Sequence, residues 1–145
     1  MTRLVALSIA ALALGCTSVE GSFAASGEPL GDWEFIPERC ASGERSGFFG
    51  VALRSGEHED QQVRLFREPA GADRVQIVIP GTCDATTCEA IELGPESGCE
   101  LFDTRIERSN SSTNGIWHMH GHLALDCDFA TGGSFRGEAE FSNCH

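Results

Sequence analysis

Between positions 116 and 144 hydrophobic and polar side chains alternate more regularly than anywhere else in the chain. Trp117, Met119, Leu123 and Leu125 fall on one parity; His118, His120, His122, Asp126 and Asp128 fall on the other. After the turn Ala130-Thr131-Gly132-Gly133 the alternation resumes, with Phe135, Ala139 and Phe141 set against Arg136, Glu138 and Glu140. Successive side chains of an extended strand point to opposite faces of a sheet. A period of two therefore predicts two half-buried strands joined by a tight turn.

Shorter runs of the same kind precede this pair. Residues 33–36 read as a short strand stopped by Pro37, and in 47–54 Phe49, Val51 and Leu53 alternate with small residues. Runs 61–68 and 74–80 flank a Pro/Gly loop and predict a hairpin with Val63, Leu65, Val75, Ile77 and Ile79 inward. Residues 88–93 and 99–109 are weaker strands, and 109–115 reads as a polar loop ending in the hairpin marker Asn114-Gly115. No stretch sustains a helical period. The expected fold is all-β: an antiparallel β-sandwich or small β-barrel of about 7–8 strands.

The N-terminus stands outside this pattern. Arg3 precedes an apolar run, Leu4 to Leu14, too short to cross a bilayer and typical of an export signal. The run closes on Leu12-Ala13-Leu14-Gly15-Cys16, which resembles the lipobox of bacterial lipoproteins, with Ala13 where leucine is usual. The resemblance implies removal of residues 1–15, acylation of Cys16 and anchoring of the protein to a membrane through lipid. Thr17, in place of aspartate, implies the outer membrane. An ordinary secretory signal cut near Ala24-Ala25-Ser26, giving a soluble exported or periplasmic protein, is the alternative. Residues 17–31, rich in Ser, Gly, Ala and Glu, read as a flexible tether, so the expected domain spans 32–145.

Six further cysteines, Cys40, Cys83, Cys88, Cys99, Cys127 and Cys144, make an even set in a small exported chain, the mark of a disulfide framework. No Cys-x-x-Cys pair is present to suggest a thiolate zinc site. Sequence alone leaves fifteen pairings open. Proximity favours Cys83–Cys88. Folding the strand before Asn114 onto the one after it favours Cys99–Cys127, and elimination leaves Cys40–Cys144.

Without residues 1–15 the chain carries nine arginines, no lysine and 22 acidic residues, a balance of −13. Such a charge repels phosphate backbones, so nucleic acid is excluded as an expected partner. Chemistry has one candidate. His118, His120 and His122 share a strand face about 6–7 Å apart, and symmetric pairing about the 129–133 turn sets His122 opposite Glu140 and His120 opposite Ser142. Two imidazoles and the Glu140 carboxylate would suit zinc or copper, against the alternative of a solvated polar row. The acidic stretch Glu57 to Asp60 lacks the spacing of a calcium loop, and no nucleophile elbow, phosphate loop or HExxH occurs. The expectation is a non-enzymatic binding or envelope lipoprotein, its protein or small-molecule partner unspecified and no catalytic residue nominated. A metal-binding lipoprotein and a periplasmic enzyme inhibitor or small enzyme are the other readings.

Overall fold

The computed structural model describes residues 16–145, so the expected signal segment 1–15 lies outside the described residues. Among the described residues ten strands form two five-stranded antiparallel sheets. In chain order these are β1 (Ser18–Ser26), β2 (Trp33–Phe35), β3 (Pro37–Ser42), β4 (Gly50–Ser55), β5 (Gln62–Arg67), β6 (Asp73–Val78), β7 (Ala90–Leu93), β8 (Leu101–Thr113), β9 (Ile116–Asp128) and β10 (Ser134–Cys144). One sheet runs β2-β1-β10-β9-β8 and the other β3-β4-β5-β6-β7, and the expected all-β sandwich is what the chain forms. Within the described residues the chain changes sheets twice, at Ile36 between β2 and β3 and again between β7 and β8. Short β2 and β7, and a β3 that opens on proline, keep three of the four sheet edges brief, and the fourth is the 13-residue β8.

The core lies between the sheets. Phe23, Phe35, Ile106, Met119, Leu123, Leu125, Phe135 and Phe141 from one layer meet Val51, Leu53, Val63, Leu65, Val75 and Ile77 from the other, all essentially buried. Phe23 and Phe135 stack with ring centroids 5.1 Å apart. Three disulfides staple the layers and loops: Cys40–Cys144 joins β3 to β10 across the sandwich, Cys99–Cys127 ties the entry of β8 to β9, and Cys83–Cys88 closes the β6–β7 loop. These are the pairings that proximity, folding and elimination favoured.

The long hairpin has the expected register: Phe141 faces Gly121, Glu140 faces His122 and Arg136 faces Asp126. Gly121 is obligatory. Its φ is +157°, and a Cβ would overlap the Arg105 carbonyl and come 3.0 Å from the Phe141 ring.

Three expectations need correction. The stretch 17–31 is not a free tether, because Ser18–Ser26 pairs along nine residues with β10 and with β2 on its other side. Phe23 and Ala25 are buried and Val19 packs against the core, so the domain starts at Ser18 rather than at 32. The 109–115 loop is mostly strand. β8 runs to Thr113, and only Asn114 and Gly115, both at positive φ, make the turn. Finally, Trp117 is exposed (38%) despite its apolar parity, because β10 ends opposite Met119 and the tip of the β8–β9 ribbon extends past the sandwich. The Arg108 guanidinium covers its ring at 5.9 Å.

Candidate functional site on the outer face of the histidine strand

Strand β9 carries His118, His120 and His122 outward because Met119, Gly121 and Leu123 must turn to the core. The neighbouring strands complete a polar sheet face. One cross-strand row reads Arg105, His122, Glu140, Glu20; the next reads Asp103, Ala124, Glu138, Ser22. Adjacent strands lie about 4.8 Å apart, so Glu20 and Glu140 stand as directly opposed like charges. A shallow groove lined by Glu20, Asp103, His122, Glu138 and Glu140 crosses this face.

The histidines lean toward β8 rather than toward Glu140. His120 Nε2 lies 3.0 Å from Glu107 Oε2 in a hydrogen bond. His122 Nε2 is as close to Asp103 Oδ2, at 3.0 Å, but off the angle of a hydrogen bond, which leaves that nitrogen shielded from water and unaligned. His118 engages two hydroxyls, Ser111 Oγ at 3.1 Å and Thr113 Oγ1 at 2.8 Å. Its ring lies 5.0 Å from that of His145.

His118, His120, His122 and Glu140 therefore share a face without forming a coordination shell. Among the described residues, no three His, Cys, Asp or Glu side chains converge as a metal-binding group. The physical reason has two parts. A bulge between Phe141 and Cys144 carries Ser142 out of register with His120. And β8 turns Asp103 and Glu107 outward beside the imidazoles, so His120 and His122 each have a nearer carboxylate. Sequence reasoning missed those two carboxylates. The signal was available: Phe102 and Ile106 are apolar positions of one parity on this strand, which leaves 103, 105 and 107 on its polar face.

No family model, no curated protein and no solved structure matches the chain. The functional reading thus stands on residues alone.

The second candidate position is Cys16. It is exposed and unbridged, and it sits against the end of β10. Asn143 Nδ2 donates to the Cys16 carbonyl at 3.4 Å, and Thr17 Oγ1 donates to the Asn143 carbonyl at 3.0 Å. Thr17 Oγ1 also lies 3.1 Å from His145 Nδ1. The lipid-attachment residue expected from the sequence is thus held at one end of the sandwich, beside His145 and His118.

Proposed function

We propose that this protein is a bacterial lipoprotein that binds a partner at the envelope surface, with Cys16 acylated and the sandwich seated close against the outer membrane. One observation carries this reading: β1 begins two residues after Cys16 and lies inside a sheet, between β2 and β10. A cut at Cys16 keeps every strand. A secretory cut near Ala25 would delete β1 with its buried Phe23, whose burial alone contributes about 1.5–3 kcal/mol. It would also strip β10 of its nine-residue partner. The fold therefore favours the lipobox reading over the secretory one. Several acyl chains on one cysteine hold a protein stably, because each buried methylene contributes about 0.8 kcal/mol. Two bridges within the body and one in a loop suit an oxidising compartment.

Fractionation tests the proposal. The full chain expressed with its own N-terminus should sediment with outer membranes and enter the detergent phase, and Cys16→Ser should remain folded but leave that phase. Equal partitioning of the two forms would refute lipid anchoring.

A further inference from the structure

The outer face of the second sheet differs in character from the histidine face. Its outward positions on β5 are Gln62, Arg64 and Phe66, with Gln76 on β6 directly opposite Arg64. The β6–β7 loop, closed by Cys83–Cys88, folds beside this row. With Glu59 and Asp60 on the other wall it bounds a cleft of about 410 Å³ over Gln62, Arg64 and Gln76. The loop is fastened to that wall, since Gly81 N donates to Asp60 Oδ2 at 2.8 Å. A smaller apolar hollow of about 180 Å³ adjoins it, between Phe48 and Phe66, and shares Arg64 and Gln76. Cleft and hollow form one trough along β5, about 13 Å from Gln62 to Phe66 at the rise of a strand.

The floor holds donors without protein partners. Gln62 is only 9% exposed; its Oε1 accepts from Arg54 Nε at 3.2 Å, while its Nε2 is buried with no partner. Arg64 Nε is likewise buried and unpartnered, and its other contact, to Gln76 Oε1, is a long 3.5 Å. A buried donor left unmade costs about 1–3 kcal/mol, so a small turn of either side chain toward an acceptor in the cleft would recover a hydrogen bond that the protein itself does not make.

Charge and shape narrow that acceptor. The N–H donors of the floor have no lone pair with which to ligate a cation. Glu59, Asp60 and Asp84 on the rim outnumber Arg64 and repel an anion. What remains is a neutral ligand rich in hydroxyls, whose oxygens accept from the floor and whose O–H groups donate to the rim. The Phe48 and Phe66 rings, 6.3 Å apart and nearly perpendicular, offer an apolar wall for its C–H faces. We infer that the trough over β5 is a binding site for a neutral saccharide, held by Gln62, Arg64 and Gln76 and packed on Phe48 and Phe66. The inference rests on the binding role proposed above and gives it a ligand class.

The test is side-chain NMR on the full chain, in micelles of a detergent without a sugar head-group. Cellotriose, maltotriose, xylotriose and chitotriose are titrated in turn, followed by inorganic phosphate and calcium. At least one trisaccharide should shift the Gln62 and Gln76 amide and Arg64 Nε–H signals. Gln62→Glu, which keeps the acceptor used by Arg54 and removes the donor, should weaken binding about tenfold. His120→Ala, on the other sheet, should leave it unchanged. If no trisaccharide moves those signals, or if phosphate or calcium moves them instead, the inference is overturned. Equal affinity of Gln62→Glu would overturn it as well. Should Gln62→Glu misfold, Phe66→Leu and the wild-type shift map serve in its place. Membrane anchoring is read separately by fractionation and survives each of these failures.

Discussion

Removing the three disulfides one at a time should rank them by the chain each one closes. Cys40–Cys144 spans 104 residues, Cys99–Cys127 spans 28 and Cys83–Cys88 spans five. The two smaller rings are nested within the largest and short-circuit it to about 70 residues, which lowers its closure entropy by only about 0.3 kcal/mol. Chain entropy then assigns about 4.4 kcal/mol to Cys40–Cys144, about 3.6 to Cys99–Cys127 and about 2 to Cys83–Cys88. A domain of this size is stable by roughly 5–15 kcal/mol, so the first loss brings the fold close to its limit and the last is tolerated. Paired Cys→Ala variants avoid stray thiols. Urea unfolding followed by tryptophan fluorescence suits the assay, because Trp33 packs on Phe35 and Phe135. The midpoint should fall most for Cys40→Ala/Cys144→Ala and least for Cys83→Ala/Cys88→Ala. If the small loop variant loses as much as the inter-sheet variant, the reasoning fails.

Other outcomes follow from single sites. Gly121→Ala should destabilise the domain by about 2 kcal/mol or more in thermal melts, since its Cβ meets the Arg105 carbonyl and the Phe141 ring. Phe135→Ala, which empties the centre of the aromatic stack, should cost about 3–5 kcal/mol by urea titration. The Thr86 N–H, and then the Thr87 N–H, hold the Asp84 carboxyl below its ordinary value. Its contribution is therefore complete above the ordinary aspartate pKa of about 4 and is lost as pH falls through the lowered folded value. Protection of the Thr86 and Thr87 amides, measured relative to intrinsic exchange, should fall only in that acid range, and Asp84→Asn should abolish the fall. Calorimetry with zinc should show no stoichiometric binding. A one-to-one isotherm lost in His120→Ala/His122→Ala would restore the metal reading.

The sequence carried most of the architecture where one face of a strand is buried. Alternation from 116 to 144 defined β9 and β10, and symmetric pairing about the 129–133 turn held their register as far as Phe141. It faltered where burial is achieved by small residues. In β1 the inward set is Val19, Phe23 and Ala25, too slight an apolar signal to stand out from the polar and small residues between them. Strand β8 past Arg108 is written in Ser, Asn and Thr because it leaves the sandwich, so hydropathy could not separate it from loop. The histidine row was visible as a face, but its partners depended on which neighbour strand offered the nearer carboxylate. A bulge at Ser142 and Asn143, where Asn143 takes a positive φ, decided against β10. The trough over β5 was hidden for another reason: Gln62, Arg64 and Phe66 look like an ordinary solvated face until the Cys83–Cys88 loop is laid beside them.

The central claim is a sandwich whose first strand begins immediately after a lipid-bearing cysteine. Mass spectrometry of the N-terminal peptide, from protein extracted from outer membranes, tests it most directly. The expected peptide starts at Cys16, carries the mass of a diacylglyceryl group and retains Ser18–Ser26. A peptide starting near Ser26, or an unmodified Cys16 in a soluble protein, would contradict it.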